Sequence, residues 1–180
     1  MELAFLNKNK TTQVKYNNGV IDNLYLKLDE HEKKTSEIYD KSSFPNYDNF
    51  NSASEFLNHA NTNNYIRSLI YSINTKCKRS HNNKVKILEI GCSTGHLANL
   101  LSLVTDSEVV GLDINLNSLL IAKKFAEKNN IKNINFVRDN ILNHCLENNY
   151  FDLIIINEAL NHTREIYKAF VESVKLCKKN

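Results

Sequence analysis

The stretch V-K-I-L-E-I-G-C-S-T-G-H-L-A-N-L-L, residues 85–101, decides the fold. It begins with a short apolar run that stops at Gly91, which is typical of a buried parallel strand. After the turn at residues 91–95, apolar side chains recur at the spacing of an amphipathic helix: Leu97, Leu100, Leu101 and Val104. The stretch therefore predicts a strand, a glycine-containing turn and a helix in succession.

The turn is a candidate binding site for an anion. Glycine lacks a Cβ atom, so a ligand can approach the main chain closely, and the first amides of a helix present N–H groups and a positive dipole end. Glu89 precedes the turn by two residues, at the carboxyl end of the strand, where open α/β sheets bind ligands. A carboxylate beside an anion site favours a ligand with both charges, such as the amino-acid portion of S-adenosylmethionine. The alternative is a tight turn with a solvated glutamate.

Length and composition narrow the class of protein. A chain of 180 residues is long enough for one domain with a real core, and a net charge of +3 with scattered lysines does not indicate nucleic acid or an anionic membrane as a partner. The four cysteines lie far apart without a C-x-x-C pair, which argues against a metal site and a disulfide scaffold. Neither a signal peptide nor a membrane-spanning run is indicated, so we expect a cytoplasmic protein.

The first 83 residues are expected to form a mainly helical extension that makes one structural unit with a core at residues 84–180. Asn17-Asn18-Gly19 suits a hairpin, but the spacing of apolar side chains favours a helix over residues 20–40. The linker F-P-N-Y-D-N-F, residues 44–50, holds the single proline and either packs onto the core or covers a pocket. A capping box at residues 52–55 then opens a helical region that runs to about Ile73.

Strands and helices are predicted to alternate regularly after residues 85–101. Strands are predicted over residues 108–114, 134–137 and 151–156, with helices over residues 115–129, after residue 140 and from Ile166 onward. Four strands that alternate with helices predict a Rossmann-like, right-handed parallel α/β sheet with helices on both faces. The strand ends bring a set of polar and small residues to one edge of the sheet: Glu89, Gly91, Asp113, Asp139, Asn157 and His162.

Three of these residues have two interpretations each. Asp113 lies 24 residues beyond Glu89, where an acidic residue of a nucleotide-binding βαβ unit accepts hydrogen bonds from ribose hydroxyls, or it caps a helix. Asp139 accepts a hydrogen bond from an adenine amino group, or it pairs with Arg138 or caps the next turn. His162 is a general base, or a polar wall of the loop.

Four pieces of the sequence together resemble the class I S-adenosylmethionine-dependent methyltransferases. The pieces are I-L-E-I-G-C-S-T-G-H-L, V-V-G-L-D-I-N, N-F-V-R-D-N and F-D-L-I-I-I-N-E-A-L-N-H-T, in the order and spacing of that family. The segment F-P-N-Y-D-N-F also looks like a box that precedes the core in one bacterial branch. The resemblance covers residues 44 to 180.

The resemblance implies S-adenosyl-L-methionine as the cofactor and a set of residues around it. These are Glu89, Gly91, Ser93 and Gly95 at the methionine end, Asp113 at the ribose, Ile114, Asp139 and Asn140 at the adenine, and Asn157 near the sulfonium. In-line displacement at an activated methyl group depends mainly on positioning, so a general base is optional, and His162 is the candidate.

The sequence also departs from the family pattern. Ser93 replaces the middle glycine of the turn, and Asn161 stands where that bacterial branch often has a histidine. Only four of the family's usual seven strands are predicted, which leaves the fourth strand as an apolar edge. We therefore expect a fragment, or a chain whose edge is covered by a partner chain or by self-association.

The predicted function is methyl transfer to an unknown small-molecule or protein acceptor. One alternative is a serine hydrolase, because G-C-S-T-G also fits a nucleophile elbow with Ser93 as nucleophile and His162 as base. An NAD dehydrogenase is disfavoured because Gly91 and Gly95 do not reproduce G-x-G-x-x-G. The third alternative is a non-catalytic remnant or subunit that binds a nucleotide or a partner protein.

Overall fold

A mixed sheet lies at the centre of the described part of the chain. The computed structural model describes residues 3–42, 44–45, 47, 53–60, 63–79 and 84–179. Within them the sheet has six strands: β1 (Val14–Asn17), β2 (Val20–Asn23), β3 (Val85–Ile90), β4 (Ser107–Asp113), β5 (Ile134–Arg138) and β6 (Leu153–Ile156). The strand order is β1-β2-β5-β4-β3-β6. The β1–β2 pair is antiparallel and the other neighbours are parallel.

Helices pack on both faces of the sheet. They are α1 (Glu30–Lys41), α2 (Ala53–Ala60), α3 (Asn64–Arg79), α4 (His96–Val104), α5 (Leu116–Lys128) and α6 (Ile166–Leu176), with 3-10 turns at Lys8–Gln13, Ile141–Asn143 and Leu160–His162. Residues of α3, α4 and α5 bury one face of the sheet. Residues of α6 and the N-terminal Phe5 and Leu6 bury the other. The predicted strand, turn and helix at residues 85–101 and the α/β architecture are thus confirmed.

The predicted helix over residues 20–40 is wrong in its first half, where a hairpin extends the sheet. Asn18 and Gly19 supply the positive φ angles of 47° and 80° that a tight hairpin turn requires. Val20 and Ile21 are both buried, but they enter the cores on opposite faces of the sheet, which is the period of a strand. Within the described part of the chain the sheet therefore has six strands rather than four, and it is mixed rather than purely parallel.

The helix of the extension begins later because its start signal lies at Asp29. The Asp29 side chain accepts a hydrogen bond from the Glu32 amide at 2.8 Å, and the Glu32 side chain accepts one from the Asp29 amide at 2.9 Å. This reciprocal capping box fixes the first turn of α1. The capping box predicted at residues 52–55 includes Ser52, which lies outside the described residues, as do Asn46 and residues 48–50 of the linker.

Strand β6 lies at the edge of the sheet, as predicted for the fourth core strand. After α6 the chain runs alongside the residues that precede β6. Phe151 and Cys177 form a parallel bridge there, and the Lys178 amide donates to the Phe151 carbonyl at 2.8 Å. Helix α6 leaves Ile166, Tyr167, Phe170 and Val174 at least half exposed. That a partner chain or self-association covers this edge stays a prediction.

The described residues also bear on membrane insertion, metal binding and the state of the cysteines. None of the helices there has the length and apolar character that a membrane crossing requires. No group of three or more His, Cys, Asp and Glu side chains is placed to hold a metal ion in that part of the chain. The four cysteines are free thiols.

Candidate functional site

A cavity of about 480 Å³ opens at the carboxyl ends of the parallel strands. This volume is within the range of small-molecule sites in proteins. Nine of the ten residues proposed from the sequence line it: Glu89, Gly91, Ser93, Asp113, Ile114, Asp139, Asn140, Asn157 and His162. Gly95 is the exception, because it lies at the N-cap of α4 and faces Ala122 and Phe136.

Glu89 is a buried carboxylate that lacks part of its hydrogen bonding. It is 6% exposed, and its Oε2 atom has no hydrogen-bond partner among the described residues. Burial raises the pKa of Glu89 to about 8, against the opposing effect of a hydrogen bond from the Ala98 amide, and the nearby charge of Asp113 raises it further. A buried carboxylate of this kind favours a cationic partner in the cavity.

The glycine turn presents fewer open amides than its sequence suggests. The amides of Gly91 and Cys92 donate to the Leu112 carbonyl at 2.8 and 3.0 Å, and the Gly95 amide donates to the Cys92 carbonyl at 2.7 Å. The Ser93 amide donates to Oδ2 of Asp113 at 2.8 Å. These bonds hold the turn against β4, so an anion in the cavity would meet the first turn of α4 rather than these four amides.

Asp113 joins the turn to the start of α5. Its second oxygen, Oδ1, accepts from the Asn115 amide at 2.8 Å. Burial raises the pKa of Asp113, while hydrogen bonds from the amides of Asn115, Ser93 and Ile114 and the proximity of His162 lower it. The cap of α5 is Asn115, whose side chain accepts from the Ser118 amide at 2.7 Å, so the predicted alternative of Asp113 as a helix cap is wrong. Asp113 instead holds the glycine turn against the start of α5, and it also lines the cavity.

Asp139 is held by three hydrogen bonds from the protein. Oδ1 accepts from Asn23 Nδ2 and from the Asn140 amide, both at 2.8 Å, and Oδ2 accepts from the Cys145 amide at 2.7 Å. Burial is the main influence on its pKa and raises it. The expected alternative of a pair with Arg138 is not formed, because Arg138 lies 3.4 Å from Asp22 instead. Asp139 thus fastens the hairpin and the turn after β5 at the floor of the cavity.

Helix α1 forms a wall of the cavity that the sequence interpretation missed. Glu32, Thr35, Ser36 and Tyr39 line the cavity. Nδ2 of Asn140 donates to both carboxylate oxygens of Glu32 at 3.0 Å. The N-terminal extension therefore contacts Asn140, one of the residues that the sequence assigns to the adenine. The available signal was D-E-H-E at residues 29–32, a capping box that marks the start of a helix.

A second set of bonds anchors α1 to α5. Asn115 is 2% exposed, and its Nδ2 atom donates to the carbonyl and hydroxyl of Ser36 at 2.9 and 3.0 Å and to Asp40 Oδ1 at 2.8 Å. Asn117 Nδ2 also donates to Asp40 Oδ1, at 2.8 Å. Helix α1 is therefore fixed along the cavity at two separate points.

Residues 44, 45 and 47 form a strap over the glycine turn. The Ser93 hydroxyl donates to the Phe44 carbonyl at 2.5 Å, and the Thr94 hydroxyl donates to the Pro45 carbonyl. Phe44 and Pro45 line the cavity, so the described part of the linker covers a pocket, as one of its two interpretations held. The Ser93 hydroxyl is directed at a backbone carbonyl rather than at a histidine, which does not support the hydrolase alternative.

Tyr47 fastens this strap to the core. Its hydroxyl donates to the Thr94 carbonyl and accepts from Asn99 Nδ2, both at 2.9 Å, and its ring stacks on Phe125 with centroids 4.0 Å apart. The ring therefore packs onto the core as the other interpretation held.

The Tyr47→Phe substitution is expected to destabilise the protein by about 1–3 kcal/mol, because it leaves the Thr94 carbonyl and the Asn99 amide group without this partner while the ring still packs. Urea unfolding followed by circular dichroism measures this change. Tyr71→Phe is the matched control, since Tyr71 is 75% exposed, and we expect it to change stability by less than about 0.5 kcal/mol. Equal unfolding curves for the two variants would contradict the prediction.

The loop after β6 supplies the last wall. Asn157 and Glu158 are exposed at the cavity, and Glu158 has a φ of 54°. His162 is half-buried, its ring meets Tyr39 edge-on with centroids 6.2 Å apart, and its carbonyl accepts from His31 Nδ1 at 3.1 Å. Helix α1 thus packs against the loop that carries the candidate base.

The sheet order and a cavity at the strand ends define a Rossmann-like α/β domain. Residues 81–180 match the family model described as "Methyltransferase domain". The chain belongs to this methyltransferase family.

Two curated relatives match about half of this chain at low sequence identity. Sterol 24-C-methyltransferase of Saccharomyces cerevisiae is 29% identical over 93 residues, which is 51% of this chain and 24% of that protein. The methyltransferase YcgJ of Bacillus subtilis is 25% identical over 105 residues, 58% of this chain and 40% of that protein. The chain therefore spans about a quarter to two-fifths of the length of these curated relatives.

Solved structures show the same fold. A structure from Methanococcus maripaludis, described as an S-adenosyl-L-methionine-dependent methyltransferase, is 20% identical with a TM-score of 0.53 and covers 85% of this chain and 62% of that one. Phosphoethanolamine N-methyltransferase 2 of Haemonchus contortus, solved with phosphomonomethylethanolamine and S-adenosylhomocysteine, is 21% identical with a TM-score of 0.51 and covers 62% of this chain and 26% of that one.

Proposed function

We propose that this chain binds S-adenosyl-L-methionine in the cavity and belongs to an enzyme that transfers its methyl group to an acceptor. The observation that carries the proposal is the unpartnered Oε2 atom of Glu89, which lies buried at the cavity wall beside the glycine turn. The ammonium group of the cofactor is a suitable partner for this oxygen, because a buried carboxylate is stabilised by a paired cation. The family match and the S-adenosylhomocysteine bound to the nematode enzyme are consistent with this assignment.

The other lining residues fit the remaining parts of the cofactor. Asp113 keeps lone pairs for the ribose hydroxyls after it accepts the amides of Ser93 and Asn115. Ile114 offers an apolar contact for the adenine, and Asp139 and Asn140 form the adenine end of the cavity. Gly91 and Ser93 shape the methionine end of the cavity. Gly95 contributes indirectly, because its lack of a Cβ atom lets the start of α4 pack closely against Ala122 and Phe136.

On this proposal, catalysis depends on how the cofactor and the acceptor are positioned and on which group receives the proton that the acceptor loses. The bound cofactor supplies a methyl group that is activated by positively charged sulfur. The strap and α1 enclose the cavity and so limit the access of water. Asn157, which lines the cavity, is assigned to the wall near the sulfonium, and His162 is the candidate to receive the proton that the acceptor loses.

Binding of S-adenosylhomocysteine is expected to release protons from the protein near pH 7. The pKa of Glu89 is about 8 in the free protein, so the group is largely protonated at pH 7 and must ionise to pair with an ammonium. Isothermal titration calorimetry in phosphate and in Tris, which differ in ionisation enthalpy, measures the released protons. The release should approach one proton per ligand at pH 7 and disappear above about pH 9, where the group is already charged.

Binding without proton release would show that Glu89 does not pair with the ligand. Absence of binding by the chain, with S-adenosylhomocysteine and with S-adenosylmethionine, would contradict the proposed function itself. A binding chain that transfers no radiolabelled methyl group to any acceptor in a cell extract would match the remaining alternative, a non-catalytic nucleotide-binding remnant or subunit.

A further inference from the structure

The described lining of the cavity is acidic, although the protein as a whole is mildly basic. The chain has 23 Lys and Arg residues against 20 Asp and Glu residues. Among the described residues that line the cavity, however, neither lysine nor arginine occurs, whereas five carboxylates do: Glu32, Glu89, Asp113, Asp139 and Glu158. His96 and His162 are the lining side chains that can carry a positive charge.

Among the described residues, five lysines and arginines adjoin lining residues in sequence, and none of them lines the cavity: Lys33, Lys34, Arg67, Arg138 and Arg164. Two of the five are engaged elsewhere. Arg164 follows the lining residue Thr163 and contacts Asp29 at 3.9 Å. Arg138 precedes Asp139 and donates to the Ile114 carbonyl at 3.2 Å and to Asp22. The sequence at residues 43, 46, 48–52 and 61–62, which lie outside the described part, contains neither lysine nor arginine. Within the described part of the chain, therefore, no lysine or arginine stands in the cavity wall to pair with an anionic group.

Four of the five lining carboxylates already have a partner, either in the protein or in the proposed cofactor. Glu32, Asp113 and Asp139 accept hydrogen bonds from the protein, and Glu89 is assigned to the cofactor. Glu158 remains, exposed at the wall that the loop after β6 provides. We assign this carboxylate to the acceptor, because the other four lining carboxylates already have partners on this assignment.

Aromatic rings line the same cavity. Phe44 and Tyr65 are 71% and 65% exposed, although they are large side chains, and Tyr39 lies against His162. Rings near a carboxylate attract organic cations, through their negative faces and by apolar contact. An exposed ring contributes about 0.5–1 kcal/mol to such an interaction.

We propose that the acceptor is a small organic amine that enters the cavity as a cation, and that molecules bearing a carboxylate or phosphate are rejected. The ammonium would give one proton to His162, which would free its nitrogen lone pair to accept the methyl group, with S-adenosylhomocysteine as the leaving group. The proposal rests on the cofactor assignment made above. An anionic acceptor would lie among like charges with no lysine or arginine of the described lining to pair with it, and an unpaired buried charge is strongly unfavourable. A cationic amine meets the opposite conditions.

Three probes with one ring and one two-carbon chain test the charge preference. Tyramine is cationic, 4-ethylphenol is neutral and 3-(4-hydroxyphenyl)propionate is anionic at pH 7. Each is titrated into the protein saturated with S-adenosylhomocysteine and followed by NMR chemical-shift changes. We expect tyramine to bind at least about tenfold more tightly than the propionate, with 4-ethylphenol between them, since a few favourable and unfavourable charge contacts amount to 1.4 kcal/mol or more.

Removing the charge of one lining carboxylate tests whether that group causes the preference for cations. Glu158→Gln is expected to reduce the preference for tyramine over the propionate by about threefold or more, as one partly exposed carboxylate is lost. Glu37→Gln is the matched control, because Glu37 is exposed on α1 and does not line the cavity, and we expect it to leave the preference unchanged.

The outcomes separate this inference from the cofactor assignment. Equal affinities, tighter binding of the propionate or of 4-ethylphenol, or no binding by any probe at millimolar concentration would overturn the inference. A protein that does not bind S-adenosylhomocysteine contradicts the cofactor assignment instead, and the three probes titrated into the free protein then test the charge preference independently.

Discussion

The Glu89→Gln variant is expected to be more stable than the unsubstituted protein at pH 8 and to bind S-adenosylhomocysteine far less well. In the folded protein, burial raises the pKa of Glu89 to about 8, above the value of 4.5 for an unperturbed side chain. The folded state therefore holds a proton that the unfolded state loses between pH 4.5 and pH 8. The free energy of unfolding falls with rising pH across that window, by about 3 kcal/mol at pH 7.

Glutamine removes this loss because it does not ionise. The two proteins should unfold at similar urea concentrations at pH 4.5, and the variant should become the more stable one as the pH rises to 8. Glu108→Gln is the control, since Glu108 is exposed on β4, and its effect should stay within about 0.5 kcal/mol at every pH. A Glu89→Gln variant that is less stable at pH 8 would mean that the carboxylate has a stabilising partner in the free protein.

The loss of binding has a separate cause. A hydrogen bond to a charged partner contributes about 1.5–3 kcal/mol, so its loss weakens S-adenosylhomocysteine binding roughly 10- to 100-fold. Calorimetric titration of the folded variant measures this change, and the released protons should disappear with it. Undiminished binding would contradict the pairing of Glu89 with the ligand. Opposite effects on stability and binding distinguish a group that serves a ligand from one that serves the fold.

The core could be predicted from sequence because each signal was local. Residues 85–101 combine a short apolar run, a glycine turn and a helical stripe, and each property depends only on near neighbours. The strand ends then follow from parallel topology, so Glu89, Asp113 and Asp139 come together without further information.

The extension was harder because its pattern fits two structures. Ile21, Leu24 and Leu28 have helical spacing, yet the positive φ angles of Asn18 and Gly19 and the parallel neighbour β5 place residues 20–23 in the sheet. Pairing across more than a hundred residues is invisible to local spacing. The wall that α1 gives the cavity was missed for the same reason, since Glu32 meets Asn140 through tertiary packing alone.

The Gly91→Ala variant is expected to lose about 2–6 kcal/mol of stability, for a reason that sequence alone did not supply. Gly91 has a φ of 71°, which disfavours a side chain. A Cβ atom added there would also overlap the Cβ atom of Ala159 in the loop that carries His162. Left-handed strain and overpacking each contribute about 1–3 kcal/mol. Urea unfolding measures the sum.

A double-mutant cycle separates the two contributions. Ala159→Gly removes the overlapping atom, so it should recover about 1–3 kcal/mol in the Gly91→Ala background, while the strain of the positive φ persists. Gly19→Ala provides the control, because its φ is 80° but its added Cβ atom meets the end of the flexible Lys123 side chain. Ala159→Gly should not rescue that variant. Additive effects of Gly91→Ala and Ala159→Gly would mean that the turn and the loop move independently, whereas rescue shows that Gly91 is required for the close approach of the loop that places His162 at the cavity.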